Sequence, residues 1–167
     1  MLTDKHSPQT HSRFRKILGA GAVIVLVSAL GYYGNKMVQT YLGQQAINET
    51  GLELPTLDQA LEIAKSSDKL VLADMSAIWC PSCRKLDKQV FSNEQVKTLI
   101  NQNFVYTRIE YDSPQGEAFM QDYQVTGFPT LLVLSTKGEK LVQLPVSYEP
   151  MTFIETLDKV LAVMDKQ

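Results

Sequence analysis

A chain of 167 residues with 44% hydrophobic residues and a formal net charge of −2 has the size and composition of a single globular domain. The small net charge hides an asymmetry, because 11 Lys and Arg stand against 17 Asp and Glu from Met37 to the C-terminus, a net charge of −6. No basic stripe exists in that part, so binding to nucleic acid through phosphate contacts is excluded as a function.

The first feature along the chain is an uncharged segment over residues 17–35, which follows a basic stretch over residues 1–16. About 20 apolar residues span a bilayer as a helix, and basic residues before such a segment stay in the cytoplasm. We therefore predict a cytoplasmic tail and then a transmembrane anchor, which delivers the rest of the chain outside the cytoplasm. A signal peptide cleaved near Val27-Ser28-Ala29 is the alternative, and it leaves the domain on the same side.

Residues 36–54 are predicted as a stalk and residues 55–167 as a folded domain in which helix and strand patterns alternate. Thr56 begins a capping box for the first helix, and the run from Lys69 to Met75 is typical of a buried strand. The later predicted elements are helices from the cysteines through Val90, from Glu94, from Glu117 to Tyr123 and from Pro150, and strands over Phe104–Tyr111, Thr130–Leu134 and Lys140–Leu144. Strands interleaved with helices predict an α/β layered domain.

The chain has two cysteines, and both lie in Trp79-Cys80-Pro81-Ser82-Cys83. On a helix, residues i and i+3 share a face at a separation that suits a disulfide, so the pair can open and close without a change of backbone. Cys80 is predicted at the helix N-terminus, where unpaired N–H groups stabilise a thiolate, and Pro81 suits the first helical position. Cys80 is thus the predicted nucleophile, and Cys83 would resolve the mixed disulfide.

Other chemistries fit these cysteines less well. A structural disulfide would close a very short loop and contribute little stability. No metal site is predicted, because zinc needs about four ligands and both histidines, His6 and His11, precede the apolar segment. Haem attachment needs a histidine where the chain has Arg84, and no cofactor is predicted. A module that binds Cu(I) through both thiolates and an assembly factor with incidental cysteines are the alternative functions.

Two aspartates, Asp74 and Asp87, lie close to the cysteines in sequence. Asp74 lies in the apolar strand six residues before Cys80, so burial is expected to raise its pKa and allow it to accept the proton of Cys83. Asp87 lies four residues after Cys83 on the same helix face, where a second negative charge would disfavour a thiolate. For each carboxylate, the alternative is a solvated side chain with no part in the chemistry.

A later segment, Val125-Thr126-Gly127-Phe128-Pro129-Thr130, completes a recognisable pattern. Together with Asp74 and the cysteine motif, it resembles the thioredoxin family over about residues 68–145. The segment from Cys83 to Val96 is most similar to the C-terminal periplasmic domain of the DsbD-type transmembrane reductant carriers. The resemblance implies a thioredoxin fold, with a central mixed sheet flanked by helices, which here follows a single predicted transmembrane helix.

The resemblance also implies a substrate-binding groove beside the cysteines. It implies that the Phe128–Pro129 peptide bond is cis and that Trp79, Pro81 and Phe128 line the groove with Pro129, where an extended substrate segment pairs with the backbone. Arg108 occupies the position at which thioredoxin carries a lysine near the buried acid, so an ion pair with Asp74 can form there.

The sequence therefore predicts a thiol:disulfide oxidoreductase tethered to the bacterial inner membrane, with its catalytic domain in the periplasm. The predicted partners are extracytoplasmic proteins whose disulfides it reduces, and an upstream reductant donor such as a transmembrane thiol carrier. The dipeptide Pro81-Ser82 between the cysteines is neither the Gly-Pro of thioredoxin nor the Pro-His of DsbA-type oxidants, so a disulfide-forming oxidase is the alternative direction.

Overall fold

The computed structural model describes residues 9–164, with side chains from residue 21 onward. Residues 1–8 of the predicted tail and residues 165–167 lie outside the described residues. The chain divides into two compact units, and the boundary lies after Val38. The predicted division into tail, anchor, stalk and domain stays a prediction.

The first unit consists of the N-terminal part of helix α1, which runs over Gln9–Thr50. Large apolar side chains here are exposed, and Leu30 is 72% exposed. Among the described residues, α1 is the one helix that is long and apolar enough to cross a membrane. Signal sequences share this length and composition, so the anchor and the cleaved signal peptide both stay open.

The second unit begins at Gln39 and contains a four-stranded sheet with helices on both faces. Its strands are β1 (Leu70–Ser76), β2 (Phe104–Glu110), β3 (Thr130–Leu134) and β4 (Lys140–Leu144). Its helices after α1 are α2 (Leu57–Ser67), α3 (Pro81–Leu86), α4 (Glu94–Asn103), α5 (Pro114–Asp122) and α6 (Pro150–Met164), and a π-helix (Asp87–Phe91) follows α3.

The strand order is β2-β1-β3-β4. β1 and β2 are parallel, whereas β3 is antiparallel to both β1 and β4. The predicted central mixed sheet flanked by helices is therefore confirmed. Because β1 is an inner strand, its C-terminal end delivers Asp74 and the following cysteine loop to the middle of the domain.

Each face of the sheet carries its own apolar cluster, as the alternation of side chains along a strand requires. Leu72 of β1 packs in the cluster that α4 and α6 cover, together with Phe153 and Ile100. Val71 and Ala73, its neighbours in sequence, pack in the cluster on the opposite face with α2 and α5. Asp74 therefore points to the same face as Leu72, which is the face covered by the helices that follow the cysteines.

The sequence predicts one α-helix from the cysteines through Val90, and this prediction is wrong in its last turn. Helix α3 ends at Leu86, and the chain continues as a π-helix in which the Ser92 N–H donates to the Asp87 carbonyl at 2.9 Å. Asp87, Val90 and Phe91 are all buried in the domain.

The fifth helix also begins earlier than predicted. It starts at Pro114 rather than Glu117, because the Ser113 hydroxyl accepts a hydrogen bond from the Gly116 N–H at 3.0 Å and caps the first turn. By contrast, the capping box predicted at Thr56 is present at the start of α2.

Candidate redox site

Cys80 occupies the position predicted for it. It is the N-cap residue of α3, and Pro81 lies in the first turn of that helix. The Cys80 N–H donates to the Ala77 carbonyl at 2.9 Å, and the Cys80 Sγ accepts a hydrogen bond from the Cys83 N–H at 3.2 Å. The sulfur predicted to attack a disulfide is thus held by a backbone N–H group at the end of a helix.

A hydroxyl group also contacts this sulfur. The Oγ of Ser82 lies 3.0 Å from the Sγ of Cys80, and either group can donate the hydrogen bond. When the sulfur is ionised, only the hydroxyl can donate, so Ser82 supplies a second donor to a thiolate. This contact gives the second residue of the Pro-Ser dipeptide a direct effect on the nucleophile.

Cys83 differs sharply from Cys80 in its surroundings. Both cysteines carry free thiols in the structure, and Cys83 is 1% exposed against 4% for Cys80. Burial, together with a hydrogen bond with Cys80, raises the pKa of Cys83 to about 12. A thiol with this pKa stays protonated at neutral pH and becomes a nucleophile only when a base removes its proton.

Asp74, in strand β1 before the cysteine loop, is 1% exposed, so its predicted burial is confirmed. Burial raises the pKa of this carboxyl, against the opposing effects of Arg108 and Tyr106. The Tyr106 hydroxyl donates to the Oδ2 of Asp74 at 2.9 Å. The Oδ1 makes no hydrogen bond within the described part of the chain. Its predicted role as proton acceptor stays a prediction.

Arg108 joins the two carboxylates that the sequence singled out. Its Nη1 lies 3.0 Å from the Oδ1 of Asp87 and 3.5 Å from the Oδ2 of Asp74, and its side chain is 4% exposed. The ion pair with Asp74 is therefore present, but the shorter one is with Asp87. Burial raises the pKa of Asp87 to about 7 in spite of the guanidinium beside it. The alternative of solvated carboxylates is wrong for both residues.

Glu110 connects these charges to the cysteine loop. Its Oε1 accepts a hydrogen bond from the Arg108 Nε at 2.6 Å, and its Oε2 accepts one from the Ile78 N–H at 2.9 Å. Sequence reasoning missed both Glu110 and Tyr106, although side-chain alternation places them on one face of β2 with Arg108. We call this set the buried charge cluster; its members are Asp74, Asp87, Tyr106 and Arg108, which are buried, and Glu110 at its edge, whose side chain is 34% exposed.

Three aromatic rings form the outer side of the site, and we call them the aromatic patch: Trp79, Tyr111 and Phe128. Ring centroids are 5.5 Å apart for Trp79 and Phe128, and 4.9 Å apart for Tyr111 and Phe128. The Trp79 Nε1 donates to the Oδ2 of Asp112 at 2.7 Å, which fixes the indole. Sequence reasoning found Trp79 and Phe128 but missed Tyr111, which is 40% exposed.

The segment before β3 reaches the cysteines as expected. The Phe128–Pro129 peptide bond is cis, as the resemblance implies. Phe128 and Trp79 pack against the small cluster that contains both cysteines. Pro81 is exposed, and Phe128 and Pro129 are half-buried, so these predicted groove residues are accessible at the surface beside the sulfur of Cys80. Their role in substrate binding stays a prediction.

The donor atoms of the site also bear on metal binding. Within residues 21–164, no group of three or more His, Cys, Asp or Glu side chains is arranged to hold a metal ion. The two thiols remain the residues that would hold Cu(I), a metal that prefers soft sulfur ligands. The copper-binding alternative stays a prediction.

Comparison with known proteins now decides the family. The family model described as a thioredoxin-like domain matches residues 57–161. The chain belongs to the thioredoxin-like family. The thioredoxin fold, with its mixed sheet flanked by helices, is therefore confirmed, and the match begins at the first residue of α2.

Two relatives show where this thioredoxin-like domain occurs. A UBX domain-containing protein 7 homolog from Dictyostelium discoideum is 31% identical over 91 residues, which are 54% of this chain and 18% of that protein. The thiol:disulfide interchange protein DsbD of Escherichia coli strain K12 is 28% identical over 148 residues, which are 87% of this chain and 26% of that protein. The chain thus spans about a quarter or less of the length of these curated relatives.

A solved structure shows the same fold. The C-terminal domain of Neisseria meningitidis DsbD in its oxidised form superposes with a TM-score of 0.53 at 22% identity, and the match covers 64% of this chain and 98% of that chain. At this identity the likeness shows the fold alone. The predicted relationship of the thioredoxin-like domain to DsbD-type proteins is confirmed, and these homologues are thiol:disulfide interchange proteins by name.

Proposed function

We propose that this protein is a thiol:disulfide oxidoreductase that reduces disulfide bonds in extracytoplasmic proteins. The observation that carries the proposal is the 3.2 Å contact between the Cys83 N–H and the Cys80 Sγ at the start of α3. It supports the proposal because it keeps the two cysteines one helical turn apart, where their sulfurs can form and break a bond. Membership of the thioredoxin-like family supports the same chemistry.

Cys80 carries out the first step. Its thiolate attacks one sulfur of the substrate disulfide, which forms a mixed disulfide and releases the other substrate sulfur as a thiolate. Cys83 does not compete in this step, because its pKa of about 12 keeps it protonated. The protonated state of Cys83 therefore fixes the order of the two proposed steps.

Cys83 carries out the second step after a base removes its proton. Its sulfur attacks the Sγ of Cys80, breaks the mixed disulfide and releases the second substrate thiolate. Two electrons pass to the substrate, and Cys80 and Cys83 end as a disulfide. Asp74 is the proposed base, because burial raises its pKa and its Oδ1 makes no hydrogen bond among the described residues.

Asp87 is proposed to act through the charge around Asp74. Both carboxylates share the guanidinium of Arg108. When Asp87 is ionised, the attraction of Arg108 is divided between two negative groups, so Asp74 holds its proton more strongly. Because the pKa of Asp87 is about 7, this influence changes in the physiological range.

The substrate is proposed to dock on the aromatic patch and the adjoining prolines. Trp79 and Phe128 meet at 5.5 Å and pack against the cysteine cluster, so a substrate segment that contacts them brings its disulfide to Cys80. Aromatic side chains contribute much of the free energy of binding at such surfaces. Pro81 and Pro129 complete the proposed groove, in which substrate backbone pairs with the segment before Pro129.

We further propose that residues 17–35 anchor the chain once in the bacterial inner membrane, with residues 1–16 in the cytoplasm. A stalk over residues 36–54 and a domain over residues 55–167 then lie in the periplasm. The apolar composition of α1 and the basic residues before it support this orientation. The oxidised protein would need an upstream reductant donor, and a transmembrane thiol carrier has suitable chemistry.

Capture of the mixed disulfide tests the central proposal. Cys83→Ala removes the resolving thiol, so substrate proteins should stay bound to Cys80 through a bond that reductant breaks. Cys80→Ala is the matched control and should capture nothing. If both variants capture the same proteins, or neither does while the wild type also fails to reduce a disulfide, the proposed reaction is wrong.

The direction of electron flow has its own test. Acid quenching followed by alkylation of free thiols reports the redox state of Cys80 and Cys83 in cells. A reductase should be found largely as the dithiol. A fully oxidised pair at steady state would show that the protein forms disulfides instead.

A topology reporter fused after the last residue tests the proposed location. A phosphatase that is active only outside the cytoplasm should be active in this fusion, and a cytoplasmic fluorescent reporter should be dark. The mass of the mature protein then separates an uncleaved anchor from a cleaved signal peptide.

A further inference from the structure

The end of helix α1 belongs to the compact unit that contains the cysteines. Residues 39–50 lie in that unit, although they precede the family match that begins at residue 57. One side of this segment is buried at the helical spacing i, i+3, i+4, i+7, which is the pattern of a helix packed on a core. The buried residues are Gly43, Ala46, Ile47 and Thr50. We call residues 39–50 the α1 end segment.

Gly43 makes the closest contact of this segment. A Cβ atom added to Gly43 would lie 1.8 Å from the carbonyl oxygen of Ile78 and 2.9 Å from its carbonyl carbon. Both are backbone atoms, so no side-chain rotation can relieve the overlap. The helix can approach the chain at Ile78 this closely only because residue 43 has no side chain.

Ile78 lies in the loop that leads from β1 to Cys80, and it is held on both sides. Its N–H donates to the Oε2 of Glu110 at 2.9 Å, and its carbonyl faces Gly43. The same carbonyl belongs to the peptide bond with Trp79, which immediately precedes Cys80. A shift of this peptide therefore moves the indole of the aromatic patch and the N-cap of α3 together.

A second contact reaches the chain just after the cysteines. The Nη1 of Arg84 donates to the Oε1 of Gln39 at 2.5 Å, and Arg84 follows Cys83 directly. A third contact, between Lys88 and Glu49 at 3.9 Å, is exposed and contributes little. The α1 end segment thus touches the chain on both sides of the cysteine pair, through Gly43 before it and Gln39 after it.

We propose that the α1 end segment is a positioning element of the redox site, in which Gly43 sets the place of the loop that carries Cys80. This inference rests on the proposed disulfide exchange at Cys80 and Cys83. Gly43 acts through Ile78 and is a positioning residue. Displacement of the Ile78 carbonyl should change how the Cys83 N–H meets the Cys80 sulfur, and with it the stability of the thiolate relative to the disulfide.

Gly43→Ala in the full-length protein tests this inference against Gly34→Ala. Both changes add one methyl group to α1, and a Cβ at Gly34 meets nothing within 4 Å. We expect Gly43→Ala to change the equilibrium constant of the cysteine pair with glutathione by at least about threefold, and to shift the pH profile of Cys80 alkylation. Gly34→Ala should change neither quantity.

The outcomes separate positioning from mere packing. A folded Gly43→Ala protein with the wild-type equilibrium constant and alkylation profile overturns the inference, even when its melting temperature falls. An equal redox change in Gly34→Ala overturns it as well. If Gly43→Ala does not fold, Gln39→Ala removes the contact with Arg84 and is judged by the same two measurements.

The wild-type protein distinguishes failure of this inference from failure of the proposed function. If the wild type exchanges with glutathione and the variants match it, only the positioning role is wrong. If the wild type shows no exchange at all, the proposed disulfide chemistry is wrong, and the positioning role falls with it.

Discussion

The two sides of the cysteine pair differ in almost every physical property. On the inner side lies the buried charge cluster, in which Arg108, at 4% exposure, joins two carboxylates and Glu110 accepts a hydrogen bond from the loop before Cys80. Above Cys80 lies the aromatic patch, which carries one hydrogen-bonded indole and an exposed tyrosine. In the proposed mechanism, the inner side accepts the proton of the resolving thiol and the outer side binds the protein substrate.

The contrast between the inner and outer sides matches two separate requirements of the proposed reaction. Thiol:disulfide exchange needs a proton acceptor whose affinity is set away from water, and it needs an accessible sulfur. A single environment cannot supply both, because burial that tunes a carboxyl also excludes a protein substrate. Placing the cysteines at the N-terminus of α3, between the two environments, satisfies both demands at once.

The largest expected effect is a loss of stability on substitution of Arg108, on the inner side. Arg108→Ala leaves Asp74 and Asp87 buried without a counter-charge, so the free energy of unfolding at about pH 7 should fall by about 3–5 kcal/mol. Urea denaturation measures this loss. Arg84→Ala is the matched control, because Arg84 donates to the neutral amide of Gln39, and its loss should be much smaller.

Measuring the same Arg108→Ala variant at a lower pH tests whether the stability loss is electrostatic. At about pH 5, protonated carboxyls need no counter-charge, so the loss of stability should shrink. A loss that is equal at both pH values would mean that Arg108 stabilises the domain by packing and not by charge.

The next effect concerns Asp74 and the second step of the reaction. Asp74→Asn keeps the shape of the side chain but removes the base, so the attack by Cys83 should slow by about a hundredfold. The first attack by Cys80 should change little. Quenched-flow analysis should then show an accumulated mixed disulfide, and its absence would exclude Asp74 as the base.

A smaller effect is expected on the outer side, at Phe128. Phe128→Ala removes one ring of the aromatic patch, and the KM for a protein disulfide should rise by about two- to tenfold, in line with about 0.5–1.5 kcal/mol for an aromatic pair. The rate with a small disulfide is the control and should stay unchanged. Equal losses with both substrates would indicate damage to the cysteines instead of lost docking.

The smallest effect is the pH dependence of stability due to Asp87. Its pKa is about 7 in the folded chain, against about 3.9 for an aspartate in an unfolded chain, so the folded state holds an extra proton between these pH values. The free energy of unfolding should therefore fall as pH rises towards 7 and level off above it. Between about pH 6.5 and 8 this amounts to under about 1 kcal/mol. Asp87→Asn should flatten the curve, and an unchanged slope would contradict the assigned pKa.

Local sequence signals predicted the parts of the site that depend on local structure. A cysteine followed by a proline was enough to place Cys80 at the N-cap of α3, because both residues act within one helical turn. The apolar strand around Asp74 was enough to predict its burial. Strands β3 and β4 have the predicted bounds, since a Lys137-Gly138 turn separates two clear patterns.

The missed residues depend on pairing between distant segments. Tyr106 and Glu110 join the site only because β1 and β2 are parallel in a register that pairs Asp74 with Arg108 and Ser76 with Glu110. Periodicity within one strand shows a shared face but not which neighbour that face meets. The π-helix over Asp87–Phe91 was not predicted either, and neither was the hydrogen bond that Asp87 at its start accepts from Arg108 of the distant strand β2.

The contact between Gly43 and Ile78 could not be predicted from the sequence either. The segment was predicted as a stalk, and nothing in its pattern indicates which part of the domain it meets. A glycine in a helix costs stability relative to alanine, so its presence in α1 is explained only by the backbone that approaches it.

The near-complete enclosure of both sulfurs has a consequence for chemical damage. Peroxide converts an exposed thiolate to sulfenic acid and then, irreversibly, to higher acids. At 4% exposure Cys80 offers little surface to an oxidant, and the N–H of Cys83 contacts its sulfur at 3.2 Å. A sulfenic acid on Cys80 would condense with that neighbouring thiol and release water before a second oxidant arrives. The oxidised product is then the same Cys80–Cys83 disulfide that forms in the proposed reaction cycle. The reductant that returns the protein to its dithiol form therefore also reverses this oxidation.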